Sequence, residues 1–369
     1  MTDMATGKRL MSLDALRGFD MLFIMGFSYV ICDLCSLFPG GTDCYLAQTM
    51  RHASWDGLFH HDTIFPLFLF IAGISFPFSY AKQMDGGLSR NSIYRKIFIR
   101  AVILICLGVV YNGFFKLHFA NLRFCSVLGR IGLAWALAAV LFMNFSTKVR
   151  AVIAGAILVG YWLLICYVPA PDASGASPLS LEGNLVGYVD RMMTPGRLYK
   201  GIFDPEGLLS TVPAVVTAML GMFTGEFVRR TDIDDRKKAG HMGLVALAML
   251  AAGLLWSLVF PINKALWTSS FVLVVGSYSL AMFALFYYII DVRGWQKWSL
   301  PFVVIGLNSI TIYMAQKIVP FRKISDFFLE GLAGMLPQTW STLLLHTGYL
   351  AISWLFLYFL YRKKIFLKI

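Results

Sequence analysis

Charged residues are scarce in this 369-residue chain. Asp, Glu, Lys and Arg make up 14% of it, against about 25% in soluble domains. Hydrophobic residues make up 58% and run along the whole length, which excludes a soluble domain built around one compact core. The mean hydropathy of +0.69 is typical of a membrane protein with several spans.

A cleavable signal peptide is also missing. The first apolar run contains Asp14, Arg17 and Asp20, and no small-residue cleavage site follows it. We therefore expect this run to be retained as the first helix. No linker, internal repeat or low-complexity tract divides the chain, so residues 1–369 are predicted to form a single transmembrane domain.

The cysteines are too few and too unevenly spaced for a zinc site. Cys32 and Cys35 form a C-x-x-C pair, but no second Cys or His pair follows at zinc spacing, so we expect no metal. Cys35 and Cys44 lie at or beyond the end of the first predicted span. A disulfide there is one interpretation, and small buried side chains are the other.

The formal net charge of +12 does not indicate nucleic-acid binding. The basic residues lie in short loops between apolar stretches, where they act as topology signals or as a site for a polyanionic ligand. We therefore expect the lipid bilayer, and no nucleic acid, as a partner.

Apolar stretches of about 20 residues, the length that crosses a bilayer core, recur ten times. We place them at 12–36, 62–81, 97–115, 125–145, 150–168, 208–228, 241–260, 266–290, 298–319 and 339–361. An eleventh crossing could lie in 320–338. The predicted fold is all-α, a polytopic membrane helix bundle of about ten transmembrane helices (10–11).

The distribution of Lys and Arg predicts the orientation of the bundle. With the N-terminus inside, 20 basic residues (Lys8 and Arg9 among them) fall on the inner side and nine on the outer side. The positive-inside rule therefore favours cytoplasmic N- and C-termini. The loops 37–61, 169–207 and 261–265 would then lie outside, in the periplasm of a bacterium.

Charged residues within a span are candidates for function because they are costly to hold there. Arg17 lies three residues from both Asp14 and Asp20, a spacing that brings each carboxylate near the guanidinium on a helix. A self-neutralised pair that locks helix packing explains the same pattern, and both interpretations stay open.

His52 is the main candidate for acid–base chemistry. An imidazole can take a proton from an amine or hydroxyl and return one to a leaving thiolate. Asp56 or Asp62 could orient it. An interfacial histidine without chemistry is the alternative. His60 and His61 are adjacent, so at most one of them is expected to face a site.

Two further stretches place polar groups near the predicted outer mouth. FDPEGLLST puts Asp204 and Glu206 at the start of a span, where they serve either as helix-entrance residues or as ligands for an amine or sugar hydroxyl. PINKALWTSS provides Asn263, Lys264 and Trp267. This tryptophan suits a sugar ring or an ordinary interfacial belt.

On the inner side, Arg95, Lys96 and Arg100 cluster at the base of the third span. Arginine clusters bind phosphates. Positive-inside anchoring is the better explanation for any single one of these residues.

Six motif blocks occur in one order: RLMSLDALRGFDMLFIM, HASWDGLFHHDTIFPLFLFIAGIS, LRFCSVLGRIGLAW, FDPEGLLSTVPAVVTAMLG, PINKALWTSS and IGLNSITIYM. Together, over about residues 9–316, they resemble the heparan-alpha-glucosaminide N-acetyltransferase family of membrane acyltransferases, including bacterial homologues linked to N-acetylglucosamine use. The large lumenal N-terminal extension of the animal enzyme has no counterpart in this sequence.

The resemblance implies transfer of the acetyl group of cytoplasmic acetyl-CoA to an amino sugar of glucosamine or N-acetylglucosamine type on the far side. The family's catalytic histidine falls on His52, and its aspartate before the I/V-F-P stretch falls on Asp62. Two positions depart from the family pattern. Ser28 stands where the animal enzyme has an important asparagine, and Asp56 replaces the asparagine of W-N-G. A hydroxyl cannot supply both the donor and the acceptor of an amide, so the acceptor specificity stays open.

Three sets of site residues are therefore predicted. The catalytic set is His52, Asp62 and Asp56; the substrate set is Ser28, Trp55, Asp204, Glu206, Asn263, Lys264 and Trp267; the acetyl-CoA set is Arg17, Arg95, Arg100, Arg130 and Asn308. His52 is expected to act as general base in direct transfer, with backbone amides or Asn263 stabilising the oxyanion. A covalent acetyl-histidine route is the less favoured alternative.

The resulting hypothesis is an acetyl-CoA-dependent transferase of the inner (plasma) membrane, with a homodimer as a further possibility. A transporter or flippase for a sugar or lipid-linked sugar is the alternative, in which Asp14, Arg17 and Asp20 would gate ions or substrate. The absence of an inverted repeat argues against it. A non-catalytic scaffold leaves the ordered motif blocks unexplained.

Overall fold

The computed structural model describes residues 10–173 and 175–367; Lys8 and Arg9 lie outside this part of the chain. Within it, apart from one isolated β-bridge between Arg123 and Gly196, regular secondary structure is helical. The α-helices, in chain order, are α1 (Met11–Ser36), α2 (Tyr45–Thr49), α3 (His60–Asp85), α4 (Arg90–Tyr111), α5 (Val127–Asn144), α6 (Thr147–Tyr167), α7 (Leu185–Met193), α8 (Thr211–Arg229), α9 (Asp235–Ser257), α10 (Ser269–Val292), α11 (Leu300–Leu307), α12 (Ser309–Ile318), α13 (Phe321–Ala333) and α14 (Gln338–Arg362).

The predicted all-α membrane bundle is confirmed. In the described residues, eight helices are long and apolar enough to cross a membrane, or nine if the bent pair that includes α11 and α12 is one span. The prediction of ten also counted α4, which is 22 residues long. Its first half carries four basic residues, so α4 has more basic residues than any of the helices counted as membrane spans.

Two predicted spans differ in detail. The stretch predicted at 298–319 bends by 60° at Asn308, between α11 and α12. The region 320–338 contains α13, whose 13 residues extend only about 20 Å, too short for a hydrocarbon core of about 30 Å. It packs along α14, where Leu329 lies against Gly348, so it does not form an eleventh crossing.

Small residues let the central helices approach closely. A Cβ on Gly73 of α3 would lie 2.2 Å from the carbonyl oxygen of Ala218 in α8, and one on Gly221 would lie 2.0 Å from the carbonyl oxygen of Phe70. Without side chains at these positions, the two backbones pack in direct contact, as in other membrane bundles. This contact fixes α3, the helix that carries Asp62.

A break in α1 redirects the last third of that helix. Gly26 has φ of +123° within a π-helical turn, Phe23–Phe27, a backbone conformation that glycine adopts without steric cost. The segment after the break brings Ser28 over the start of α3. We call this side of the bundle, with the loop carrying His52, the His52 end. The opposite side, where α3 and α8 finish, is the Lys82 end.

Candidate active site

A cavity of about 1700 Å³ runs through the bundle between the His52 end and the Lys82 end. It exceeds the ~300–1,000 Å³ of ordinary small-molecule pockets. Its lining includes His52, Asp62, Lys264, Glu206 and Arg123 at one end, Arg17, Ser75 and Arg100 further along, and Lys82, Arg229, Arg230 and Lys238 at the other. A long ligand could therefore reach both ends at once.

His52, Asp62 and Lys264 form a contact group at the His52 end. The Nδ1 atom of His52 lies 2.7 Å from Oδ1 of Asp62, and Nζ of Lys264 lies 3.2 Å from the same oxygen. Nζ is also 3.2 Å from Nδ1. An ionised carboxylate only accepts hydrogen bonds, so both nitrogens donate to Asp62, and Nδ1 carries the imidazole proton. Nε2 of His52 is left as the basic nitrogen.

Local backbone structure holds Asp62 in place. It lies in the first turn of α3, and its Oδ2 atom accepts from the backbone N–H groups of Ala53 and Phe59, each at 3.1 Å. A carboxylate in this position satisfies amides that a helix start leaves unpaired. Because both oxygens are engaged and the side chain is only 2% exposed, Asp62 is fixed, whereas the side chain of His52 is 57% exposed and faces the cavity.

Lys264 reaches this group from a tight turn 202 residues further along the chain. The Oδ1 atom of Asn263 accepts from the backbone N–H of Leu266, and its Nδ2 atom donates to Asp56. Asn263 therefore shapes the turn that presents Lys264. Burial lowers the pKa of the Lys264 amine, and the nearby Asp62 carboxylate opposes this shift.

A second histidine packs behind the first. The imidazole rings of His52 and His61 lie 4.6 Å apart, edge to face, and Nδ1 of His61 is 3.2 Å from Oγ of Ser28. Ser28 thus reaches the site through His61, which also lines the cavity. His60 points elsewhere, with its Nε2 atom 3.3 Å from the hydroxyl of Tyr278.

An ion-pair group centred on Arg123 forms a neighbouring part of the cavity wall. Its guanidinium donates to both oxygens of Asp204, at 2.7 and 2.6 Å, and to Glu206. It also lies over the ring of Tyr199, 4.7 Å from the centroid. The two carboxylates raise the pKa of Arg123 against the effect of its burial, so this cation is permanently charged. No local pattern in the sequence points to Arg123, because its partners Asp204 and Glu206 lie about 80 residues away.

Several predicted site residues serve the framework rather than the cavity surface. Asp204 is completely buried, and its oxygens accept from Arg123 and from the backbone amides of Tyr199 and Glu206. Glu206 lines the cavity. Asp56 is bonded to Asn263, so the structure pairs His52 with Asp62 and not with Asp56. The amide of Asn263 is engaged at both its oxygen and its nitrogen, and the residue lies outside the cavity lining.

The two predicted tryptophans differ in position. Trp55 lines the cavity; its Nε1 donates to the carbonyl of Leu179 at 2.8 Å, and Nζ of Lys200 lies 5.7 Å from its ring. Trp267 is completely buried, with its ring against Phe65. It is absent from the cavity lining, so a sugar ring cannot stack on it in this structure.

Of the predicted acetyl-CoA residues, some line the cavity and others lie away from it. Arg17 and Arg100 line the cavity; Arg17 contacts Asp14 at 3.4 Å and Ser75 at 3.3 Å, and Arg100 lies over Trp135, 4.3 Å from its ring centroid. Arg95 is exposed on α4, away from the cavity lining.

The remaining two members of that set are structural in this arrangement. Arg130 is buried, donating to the carbonyl of Gly207 at 3.1 Å. The amide of Asn308 bonds the carbonyl of Ile365 at 2.9 Å and the N–H of Leu367 at 3.2 Å. The prediction that Arg130 and Asn308 bind acetyl-CoA is therefore not supported by their contacts in the structure. Both residues bond to distant segments, and no local pattern in the sequence reveals these contacts.

The basic residues at the Lys82 end had not been singled out in the sequence. Lys82, Arg229 and Arg230 line the mouth of the cavity. Lys238 donates to the carbonyl of Val228 at 2.9 Å and pairs with Asp235 at 2.8 Å. Their common signal was only their place in loops predicted to be cytoplasmic, which positive-inside anchoring explains equally well.

Comparison with known proteins confirms the resemblance seen in the motifs. The chain is 28% identical to the human heparan-alpha-glucosaminide N-acetyltransferase over an alignment 425 residues long. The alignment covers 98% of the chain and 60% of the human protein. It is 26% identical to the mouse protein of the same name over 432 residues, covering all of the chain and 62% of that protein. The chain thus spans about three fifths of the length of these relatives. No family model matches it.

Proposed function

We propose, from the premise that this chain is a homologue of the heparan-alpha-glucosaminide N-acetyltransferases, that it is a transmembrane acetyltransferase. It would move the acetyl group of acetyl-CoA to the amino group of an amino sugar, with His52 as general base. The observation that carries this proposal is the cavity that joins a basic mouth at the Lys82 end to the His52–Asp62–Lys264 group.

The contacts of His52 suit a general base. Asp62 accepts from Nδ1, which leaves the lone pair of Nε2 toward the cavity and stabilises the imidazolium that forms when Nε2 takes a proton. The acceptor amine attacks the thioester carbon and loses a proton to Nε2. The carbon–sulfur bond then breaks, and the proton returns to the thiolate of CoA.

The sequence predicts that Lys264 binds the sugar. In this scheme it has a different role. Its ammonium holds the same oxygen of Asp62 that His52 contacts, and it lines the cavity. It therefore balances the charge of the buried carboxylate. It is also a cation close to the oxygen that becomes negative as the thioester is attacked, a role for which the amide of Asn263 is not free.

The length of the cavity supports a bound CoA that reaches from one end toward the other. Asp62 and Ser75 are 13 residues apart on α3, and they contact His52 and Arg17, respectively. This spacing corresponds to a rise of about 20 Å along the helix. The pantetheine arm has about 13 bonds between its sulfur and the pyrophosphate, or roughly 15 Å at the advance per bond of an extended chain. With the thioester at His52, the pyrophosphate would lie near Arg17 and Arg100.

The adenosine 3′-phosphate would then lie at the Lys82 end. Lys82, Arg229 and Arg230 surround that mouth, and guanidinium groups bind phosphate oxygens in a bidentate manner. The positive-inside rule favours a cytoplasmic location for this end, the side on which acetyl-CoA would be supplied. The acceptor would meet His52 on the opposite, periplasmic side of an inner membrane.

The test is acceptor-dependent release of CoA thiol by the purified protein in detergent. Acetyl-CoA is supplied with glucosamine, N-acetylglucosamine or a neutral sugar. Wild-type protein should release thiol with glucosamine, whose amine is free, and not with N-acetylglucosamine or the neutral sugar. His52→Ala and Asp62→Asn should lower kcat by on the order of 10²–10⁴-fold while the Kd for CoA stays unchanged.

The matched control is His118→Ala. His118 is exposed in the α4–α5 loop and is absent from the cavity lining, so its loss should leave turnover intact. Wild-type rates in His52→Ala would refute the assignment of the base. Sugar uptake into vesicles without any thiol release would instead favour a transporter, which a cavity between both ends could also serve.

A further inference from the structure

Three of the chain's six cysteines meet at the His52 end. Cys32 and Cys35 lie in the last turns of α1, and Cys44 directly precedes α2. The thiols of Cys35 and Cys44 are in hydrogen-bonding contact, and Sγ of Cys32 lies 3.8 Å from the carbonyl oxygen of Ala47. In the described residues, no group of three or more His, Cys, Asp or Glu is arranged to hold a metal ion. Thiols that lie this close together can take part in thiol–disulfide exchange.

We propose that Cys35 and Cys44 form a disulfide that ties the loop after α1 back to that helix. This inference rests on the outward orientation of the His52 end in the proposed function, because disulfides persist only in oxidising compartments. The contact between the two thiols makes them the pair that an oxidant would join. The Cys32 thiol points to the Ala47 carbonyl instead, so the variant Cys32→Ser tests the choice of partner.

Cys44 is the thiol suited to react first. It is half-buried at the start of α2, where its sulfur accepts from the backbone N–H of Ala47 at 3.5 Å. This hydrogen bond lowers the pKa of the Cys44 thiol and so raises the share of the nucleophilic thiolate. Cys35 is buried beside it, in the position of a resolving cysteine.

The oxidant is a disulfide, carried by a thiol–disulfide oxidoreductase or by a small molecule. The Cys44 thiolate attacks one of its sulfurs, forming a mixed disulfide and expelling one thiolate. Cys35, losing its proton to solvent, attacks the Cys44 sulfur and expels the second thiolate. Two protein thiols are oxidised and one external disulfide is reduced to two thiols, so atoms and electrons balance.

The disulfide would act on the site by fixing the segment that leads to His52. Ala47 and Met50 of this segment are buried, and Met50 packs with Phe23 of α1 and Ile64 of α3. His52 follows Met50 by two residues and has no helix of its own. A covalent link at Cys44 restricts this segment from its other side, so we expect Cys35 and Cys44 to be positioning residues for His52.

The test counts free thiols in full-length protein taken directly from membranes. Membranes are denatured in SDS with excess N-ethylmaleimide, and the mass of the intact protein is measured with and without prior reduction. Wild-type protein should take up four labels without reductant and six with it. Cys35→Ser and Cys44→Ser should each take up five labels in both conditions. The control Cys32→Ser should take up three labels, rising to five on reduction.

Six labels on unreduced wild type would overturn the proposal. A disulfide that survives in Cys35→Ser would also overturn it, since Cys32 would then be the partner. The thiol count needs no turnover, so the two proposals fail separately: free thiols with normal acetyl transfer refute only the disulfide, and a disulfide without transfer refutes only the enzyme. In an active protein, reduction should lower kcat in wild type and Cys32→Ser but not in Cys44→Ser.

Discussion

The two ends of the cavity hold their charges in opposite ways. At the His52 end, Asp62 and Asp204 are 2% and 0% exposed and are bonded to cations and backbone amides. At the Lys82 end, the Arg230–Asp232 pair is 54% and 60% exposed, and Arg229 faces solvent. The two carboxylates at the His52 end are buried and fully hydrogen-bonded, whereas these charged side chains at the Lys82 end are exposed.

This difference in burial suits the function that is proposed for each end. Proton transfer needs groups held within hydrogen-bond reach in one geometry, which burial and full hydrogen bonding provide. Capture of a polyanion needs positive charge near a wide mouth, and exposed arginines and lysines provide that without fixed geometry. Mutations at the His52 end should therefore have large effects on stability or kcat, whereas mutations at the Lys82 end should have small effects on the KM for acetyl-CoA.

The largest effect on stability is expected for Arg123→Ala at the His52 end. The change leaves Asp204 and Glu206 without their cation, and Asp204 is fully buried. Removing one partner of a buried pair costs about 3–5 kcal/mol, which thermal unfolding in detergent would detect. The control is Arg191→Ala, whose partner Asp172 is 43% exposed; its loss should cost less than about 1 kcal/mol. Equal losses would contradict the expected contrast between a buried and a partly exposed ion pair.

A smaller effect of opposite sign is expected for Asp190→Asn. Burial raises the pKa of Asp190 to about 6, so the folded state keeps a proton that the unfolded state releases between about pH 4 and pH 6. The contribution of Asp190 to the free energy of unfolding therefore falls as pH rises through this window. Asparagine cannot ionise and can still accept from the N–H of Leu208. The variant should gain about 1–3 kcal/mol over wild type at pH 7.5 and nothing at pH 4.

Unfolding of both proteins across pH 4–8 measures this difference directly. Asp204→Asn serves as the comparison, because it weakens the ion pair with Arg123 and should destabilise the protein at pH 7.5. A pH-independent gap between Asp190→Asn and wild type would mean that ionisation of Asp190 does not set the effect.

The smallest effect is expected at the Lys82 end, for Arg229→Ala. An exposed charge contributes about 0.2–1 kcal/mol, so the KM for acetyl-CoA should rise up to about fivefold at low salt, with kcat unchanged. The difference should shrink as salt screens the phosphates. Arg95→Ala removes the same charge from a residue outside the cavity lining. A larger effect for Arg95 than for Arg229 would restore the original prediction that Arg95 binds CoA.

Much of the fold was predictable because membrane spans are local features. Each predicted apolar stretch coincides with a helix, since about 20 consecutive apolar residues specify a span without reference to the rest of the chain. The exceptions have local causes that hydropathy does not report: Gly26 bends α1, Asn308 separates α11 from α12, and α13 is too short to cross.

The candidate site was predictable only in part. His52 and Asp62 are ten residues apart in one motif, so the sequence could point to both. The addition of Arg123 to the site, the contact of Lys264 with Asp62, and the removal of Trp267 and Asn263 from the cavity surface depend on contacts between residues far apart in the chain. Hydrophobic periodicity carries no information about such contacts.

The amino-acid sequence alone determined the class of this protein, a helical membrane bundle with charge-biased loops, because hydropathy and charge act residue by residue. It also singled out His52. Only the tertiary structure decided which carboxylate His52 contacts, which lysine shares that carboxylate, and which arginines reach the cavity. Those choices follow from the close packing of α3 against α8 and from the turn at Asn263, which bring distant side chains within hydrogen-bonding distance.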